Sequence, residues 1–367
     1  MVALGKQNGM QREPVGPEAL NLPSCATPRP GDVVSWYEQA GIYRGELVGH
    51  TKDGQPYIRI VDPERTLVAP SFQHIRLENP ANGVGPNWCR LDGKAKILRP
   101  TPDELRSLRQ LLAQSTPPGP QYADLVREIW LRGYEVFVVG GTVRDVVAGE
   151  TSHDVDIATT MPLALLGPLV SRMYNISPRL SEEALRYGHL RLGGRPKSGD
   201  PFIDLSVFKH SFVGTGNALF GASFADDVRH RDFACNAIYY DPLNEVFVDP
   251  LGQGVTDAGH RTLSIIPGQT FGPVYHGKLV IRFFKFHVRG FIPTPECQAH
   301  IMEHLDQSLA AMHRSQRFGY LKTQLLSKSP EEERPDIFDA LQRSFVAVGA
   351  AGIWTKYIDP LREDLLR

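Results

Sequence analysis

Apolar and polar positions change rhythm three times along this 367-residue chain. Residues 1–29 show no periodicity and are rich in Gly, Pro and polar side chains, which predicts a disordered lead-in. From Pro30 the runs GDVVSWY, GIYRGELVGH, QPYIRIVDP and TLVAPSFQHIRLE are short and β-rich, and Lys52-Asp53-Gly54 is a hairpin signal. Closely spaced short strands predict a small barrel of the SH3 or Tudor type over 30–82, or else a β-extension packed on the main domain. Thr101-Pro102-Asp103-Glu104 is a capping box with proline at the first helical position, so a helix should run to about Gln114. Ser115 to Pro120 then breaks it, leaving 83–120 as a linker with one helix. Tyr122, Leu125, Val126 and Ile129 fall on one face of a second helix, and Tyr134–Val139 has the composition of a buried strand. From about Tyr275 the period is helical almost to the last residue. The expected divisions are a mixed α/β domain over 121–268 and a helical domain over 269–367.

Composition adds limits. Apolar and charged fractions of 41% and 22% are those of a soluble globular protein, and no apolar run is long enough for a membrane helix. The N-terminal segment lacks the apolar core of a signal peptide. Cys25, Cys89, Cys235 and Cys297 lie far apart with no CxxC pair, which points to a reducing cytoplasm and away from a zinc ribbon. His300 and His304 stand i, i+4 but lack an evident third ligand, so no zinc is expected. A net charge of −1 means that any nucleic-acid surface must be a local patch.

Candidate chemistry is concentrated after Tyr134. The strand there runs into Gly140-Gly141 and then a helix, so backbone can approach a ligand closely and free N–H groups face an anion. Asp154 and Asp156 follow with i, i+2 spacing, which places both carboxylates on one face of a strand. Such a pair repels itself unless a cation intervenes, and hard oxygen donors suit Mg²⁺. Paired metals are a recurrent means of aligning phosphoryl transfer.

Three motifs occur in order: GGTVRD at 140–145 with DVDIAT at 154–159; FIDLSVF at 202–208; and DVRHRDFACNA at 227–237. Together they resemble the class II tRNA nucleotidyltransferase and bacterial poly(A) polymerase family, within the DNA polymerase beta superfamily, over about residues 121–292. IRFFKF at 281–286 is similar to the helix that opens that family's neck. The resemblance implies an α+β fold: a polymerase-beta-type nucleotidyltransferase head with a mixed sheet, followed by a helical C-terminal neck. It implies transfer of a nucleoside monophosphate from an NTP, ATP or CTP, to an RNA 3′-end, possibly of tRNA, without a template and with release of pyrophosphate.

By the same resemblance Asp154 and Asp156 bind Mg²⁺, in a two-metal site. Asp204 is the third carboxylate, or alternatively a strand aspartate held in a salt bridge. Gly140, Gly141, Arg144, Arg231, Asp232, Arg282 and Lys285 contact the nucleotide, with Asp145 orienting Arg144. Asn236 is either a nucleotide contact or a helix-surface residue. The phenylalanines of 281–286 read as core rather than base-stacking residues.

Within the motifs His230 and Ala234 stand where the family has Arg and Thr, and Gln316-Arg317-Phe318 keeps only the arginine of the family's neck motif; two larger departures follow. Where the family has an EDxxR motif that selects the base, this chain has Tyr275-His276-Gly277-Lys278-Leu279, which leaves His276 or Lys278 as substitutes. The region after Phe291 is shorter than the family's neck, body and tail. Two other functions therefore stay open: transfer to a small-molecule or protein acceptor, and a catalytically inactive RNA- or protein-binding module. Tyr37, Tyr43, Arg44, Tyr57 and Arg59 interleave aromatic and basic residues as single-strand binders do, but nearby acids dilute the charge. Oligomeric state is not fixed by any of these features.

Overall fold

The structure is a computed structural model. It describes residues 12–14, 32–38, 41–51, 55–61, 64–68, 75–79, 94–116, 119–132, 134–152, 154–175, 188–193, 202–209, 219–220, 224–269, 273–326 and 330–366. Most of the expected lead-in and the Lys52-Asp53-Gly54 turn lie outside these residues.

The N-terminal sheet is an antiparallel meander of β1 (Val33–Glu38), β2 (Gly41–Thr51), β3 (Pro56–Val61) and β4 (Glu64–Val68). β5 (Ile75–Asn79) returns to pair with β1. Val34, Leu47, Ile58 and Ile60 are buried, as the alternation along these strands requires. β11 (Leu219–Phe220), from the middle of the chain, adds to β2 opposite His50 and Thr51. It ties this sheet to the domain that follows.

That domain is built on a seven-stranded mixed sheet. Its members are β6 (Lys96–Leu98), β7 (Val136–Val139), β8 (Val155–Thr159), β9 (His189–Gly193), β10 (Phe202–Val207), β12 (Tyr239–Asp241) and β13 (Val246–Asp249). Their order is β6-β13-β12-β7-β8-β10-β9. β8 and β10 run parallel and the other neighbours antiparallel. Val136 and Val138 face one buried cluster while Phe137 and Val139 face another, so β7 is covered on both sides. The second cluster centres on the mutually packed rings of Phe137, Phe208, Phe224 and Tyr239.

α1 (Pro102–Leu112) starts at the expected capping box: the Glu104 amide donates to Thr101 Oγ1 and the Thr101 amide to the Glu104 carboxylate. α2 (Tyr122–Leu131) buries Tyr122, Leu125, Val126 and Ile129, the face read from its period. α3 (Gly140–Val147) and α4 (Leu163–Tyr174) complete this side. The stretch 83–120, read above as a linker, contributes more than a helix. β6 pairs with β13, and Leu108, Leu111 and Leu112 of α1 join the main core. A three-residue edge strand has too little periodicity to be seen in sequence.

After α5 (Phe224–Arg229) and α6 (Gly254–His260) the chain is mostly helical: α7 (Pro273–Val288), α8 (Pro295–Ala311), α9 (Arg314–Leu321), a π-helical turn at Lys322–Leu326, α10 (Arg334–Ala347), α11 (Ala351–Tyr357) and α12 (Arg362–Leu366). Phe283, Phe284 and Phe286 of α7 are fully buried in the core shared with the head. This is the core role expected of them. Among the described residues no helix is long and apolar enough to cross a membrane.

Candidate active site

β7 ends at Val139 and α3 begins at once, a reversal made possible by Gly140 in the left-handed region at φ +63°. A Cβ on Gly140 would stand 3.3 Å from Asp156 Oδ2 and 3.8 Å from an Arg231 guanidinium nitrogen. One on Gly141 would stand 3.5 Å from both Asp156 Oδ2 and Arg144 Nη2. The glycine pair, Asp156, Arg144 and Arg231 therefore surround one small volume at the mouth of α3.

Thr142 fixes the depth of that volume. Its hydroxyl donates to the Asp154 carbonyl (3.0 Å) and accepts from the Asp156 amide (2.9 Å). Ser152 Oγ also donates to the Asp154 carbonyl, at 3.0 Å. Thr142 is fully buried, whereas Asp154 and Asp156 are half-buried. One hydroxyl thus locks the aspartate strand to the first turn of the glycine-led helix.

Asp204 on β10 lies directly opposite Asp156 in the parallel register. It is gripped bidentately by Arg191 of β9, at 2.6 Å for each bond, and His189 Nε2 lies 3.2 Å away. Burial alone would raise the Asp204 carboxyl, but the bonds from Arg191 and His189 outweigh it and hold it below the usual carboxylate range. Of the two readings open for Asp204, the salt bridge is present. Its partner Arg191 also feels the charges of Asp154 and Asp156.

On the other side of the glycine turn, charges alternate in a connected row. Arg289 donates to Asp145 (2.9 Å) and to Glu150. Asp145 accepts from Arg144 at 2.6 Å. Arg144 Nη1 donates to Asn236 Oδ1 (2.6 Å), and Asn236 Nδ2 donates to Asp232 Oδ1 (2.7 Å). Asp232 pairs with Arg282 of α7, and Arg282 and Lys285 reach Gln324 in the π-helical turn at 3.2 and 3.3 Å. Asn236 is 3% exposed in a short 3₁₀ turn, so the helix-surface reading of it is corrected: it is the buried bridge between Arg144 and Asp232. Phe286 supplies the floor, with the guanidiniums of Arg144, Arg282 and Arg289 centred 4.8, 5.8 and 5.9 Å from its ring.

Arg231 belongs to a separate buried group. It pairs with Asp227 (2.7 Å) and lies over the Tyr239 ring, whose hydroxyl donates to Asp227 at 2.6 Å. Burial would push the Asp227 carboxyl up, but the Arg231 charge and the bonds from Tyr239 and the Lys209 amide hold it below its ordinary value.

At the position of the absent base-selecting motif, Leu279 is buried and His276 packs against α8. Lys278 stands between the Tyr275 and Tyr320 rings, 5.8 and 5.6 Å from their centroids. Thr142, Arg191, Arg289 and Gln324 were not identified from sequence. Only Thr142 carried a local signal, a hydroxyl directly after a glycine pair.

Residues 136–264 match the family model of the poly A polymerase head domain. The chain is 26% identical over 149 residues to the CCA-adding enzyme of Enterococcus faecalis, covering 39% of this chain and 34% of that protein. It is 27% identical over 169 residues to the CCA-adding enzyme of Streptococcus suis, covering 44% and 38%. Against the CCA-adding enzyme of Geobacillus stearothermophilus it is 26% identical over 141 residues, covering 37% and 32%. The matched region thus spans about a third of the length of these relatives. Among solved structures, the Thermotoga maritima CCA-adding enzyme complexed with tRNA-CCA shares 18% identity at a TM-score of 0.47, over 66% of this chain and 54% of that one.

Proposed function

We propose that the chain, whose residues 136–264 match the poly A polymerase head domain, is a member of the class II tRNA nucleotidyltransferase family and transfers a nucleoside monophosphate from an NTP to an RNA 3′-end, tRNA being the first candidate, without a template and with release of pyrophosphate. The observation that carries this reading is the convergence of Asp156, Arg144 and Arg231 on the Gly140-Gly141 turn, with Asp154 locked beside them through Thr142.

The donor set fits a hard divalent cation such as Mg²⁺: Asp154 and Asp156 offer carboxylate oxygens, and both are half-buried rather than sealed off. These two residues would hold the metal ions, which when bound supply activation of the attacking hydroxyl and neutralisation of the leaving pyrophosphate. The remaining work falls to the protein. Gly140 and Gly141 leave room for the triphosphate against the backbone. Arg144, Arg231, Arg282 and Lys285 present cationic donors to its oxygens, arginine in bidentate fashion. Asp145, Asn236 and Asp232 hold Arg144 and Arg282 in place before substrate arrives, and Asp227 holds Arg231, which removes an ordering cost from the reaction. Asp204 completes the strand pair as third carboxylate, with Arg191 as its counter-ion. In the family's base-selecting region His276 is committed to α8, so Lys278, flanked by Tyr275 and Tyr320, is the candidate for contacting the base.

We read the N-terminal sheet as an SH3- or Tudor-like barrel, supported by the order β4-β3-β2-β1-β5. The head and the helical neck are read as two domains sharing one core. Of the aromatic and basic residues considered for RNA binding, Arg59 is paired with Glu46, and the side chains of Tyr37, Tyr43 and Arg44 lie outside the described residues.

Purified chain, Mg²⁺ and tRNA or mixed RNA would be offered each labelled NTP in turn. Mutant-sensitive labelling of RNA is expected, with a fall of about 10³-fold or more in Asp154→Ala/Asp156→Ala, since metal stabilisation of the transition state is worth several kcal/mol. Equal labelling by the folded double variant, or none by the wild type, would overturn the assignment.

A further inference from the structure

Arg289 stands just past the end of α7, in the joint between head and neck. The chain turns there at Gly290, φ +82°, and Thr262-Leu263 pairs in parallel with Ile292-Pro293. The Ile292 amide donates to the Arg261 carbonyl (2.7 Å), and Arg261 Nη1 donates to the Arg289 carbonyl (3.2 Å). The joint therefore fixes two arginines side by side. Arg261 pairs with Glu150 at 2.8 Å, and Arg289 pairs with both Glu150 and Asp145. Asp145 is the shared element. Its Oδ1 accepts from Nε and Nη2 of Arg144 at 2.9 and 2.6 Å and from Nη2 of Arg289 at 2.9 Å. One carboxylate oxygen thus ties a residue of the neck joint to the arginine that lies against the glycine turn.

We propose that Arg289 is a positioning residue for the nucleotide: it fixes Asp145 from the neck joint, and through Asp145 it aims Arg144 at the triphosphate. The inference rests on the nucleotide site proposed above and adds a residue that touches no substrate. Arg144 has two holders, the neutral Asn236 and the charged Asp145. Asp145 neighbours Arg144 on the short helix α3, and its own side chain is partly exposed, so without a second partner its carboxylate can turn to water. Arg289 supplies that partner from across the joint. The two guanidiniums repel each other, and the shared carboxylate oxygen and the Phe286 ring, 4.8 and 5.9 Å from their centres, hold them together. The cluster sets the guanidiniums of Arg144, Arg261 and Arg289 against the carboxylates of Asp145 and Glu150, which leaves one positive charge in excess for an anion. Arg144 is the member of the cluster that faces the glycine turn, so the excess is directed there.

The test is equilibrium binding of labelled ATP and CTP, with Mg²⁺ and without RNA, to full-length wild type, Arg289→Gln and Arg289→Lys. When Arg289 is replaced, Glu150 keeps Arg261 and Asp145 keeps Arg144, so each acid retains a partner and the variants should fold, which urea unfolding checks. Arg289→Gln should weaken binding about 10-fold, the loss expected when one charge-assisted bond no longer holds the site. Both of the side-chain bonds of Arg289 leave from one nitrogen, Nη2, so a lysine ammonium can make them and should stay within about threefold of wild type. In an Asp145→Asn background the Arg289→Gln change should cost less than about twofold, because the charge it acts through is gone; a merely structural role would leave the full loss in place. Wild-type affinity in folded Arg289→Gln, or a penalty undiminished by Asp145→Asn, would overturn the proposal and leave the nucleotide site standing. NTP binding with these expected losses but no labelling of RNA would instead overturn only the acceptor, and absence of NTP binding by the wild type would overturn both.

Discussion

Thr142→Val replaces a buried hydroxyl with a methyl of nearly the same shape. It removes the 3.0 Å bond to the Asp154 carbonyl, which keeps its bond from Ser152 Oγ, and leaves the Asp156 amide without its 2.9 Å partner. A buried polar group left unsatisfied costs about 1–3 kcal/mol, and the Asp156 amide is the one such group here. Asp154 and Asp156 are half-buried and water can partly repair the loss, which places the expected destabilisation at the lower end, about 1–2 kcal/mol. The kinetic effect should be larger than the stability change implies. The same hydroxyl sets the distance between the glycine turn and the aspartate strand, and a misplacement of roughly 1 Å at a reacting centre can cost about 100-fold in rate. Urea unfolding and single-turnover extension would be measured in parallel, with Thr142→Ser as the control that retains the hydroxyl. The serine variant should remain within about 1 kcal/mol of wild type and keep most of its rate, because it loses one methyl and no hydrogen bond. If Thr142→Val unfolded within about 0.5 kcal/mol of wild type, the range of ordinary neutral substitutions, and extended RNA at the same rate, the clamp argument would be refuted.

Other perturbations test the remaining parts. Gly140→Ala should cost about 1 kcal/mol in stability from the left-handed backbone alone, and should reduce extension further by pushing on Asp156; a variant with wild-type kinetics would show that the turn is not close to the reacting atoms. Asn236→Ala removes charge-assisted bonds worth about 1.5–3 kcal/mol, so kcat/KM for NTP should fall about 10- to 100-fold while Asp154-dependent metal binding is retained. Asp227 has a depressed folded-state pKa, so its stabilisation is present above the ordinary carboxylate value and is lost as pH falls through the folded value. Urea midpoints followed from about pH 6 to about pH 3 should fall more steeply in wild type than in Asp227→Asn, and parallel curves would contradict this. Removal of divalent cations with a chelator should abolish extension and readdition of Mg²⁺ should restore it; activity that survives chelation would rule out Asp154 and Asp156 as metal ligands.

What could be read from the chain was what neighbouring residues determine. The capping box of α1, the buried face of α2, the apolar β7 and its glycine-led turn into α3 follow from spacing and local chemistry, and the structure has them. The burial of Phe283, Phe284 and Phe286 followed from helical period. β6 was missed because three residues give no rhythm, and its place at the sheet edge depends on pairing with β13 far along the chain.

The partners of the charged residues were the larger gap. Arg144 finds Asn236 across 92 residues, Asp232 finds Arg282 across 50, and Asp145 finds Arg289 across 144. A buried charge requires a partner, so sequence could state that Arg144 and Asp232 must be satisfied if they lie inside, but not by which residue. The same requirement bears on Asn236 and Asp204. An asparagine between an arginine and an aspartate can accept from one and donate to the other. Asp204, placed beside Asp156 by the parallel register, adds a negative charge that repels its neighbour, and Arg191 on the adjoining strand offsets it. The identity of each partner is therefore a consequence of strand order and of the α7 crossing. Once these are known, electrostatics leaves little freedom in how the site is wired.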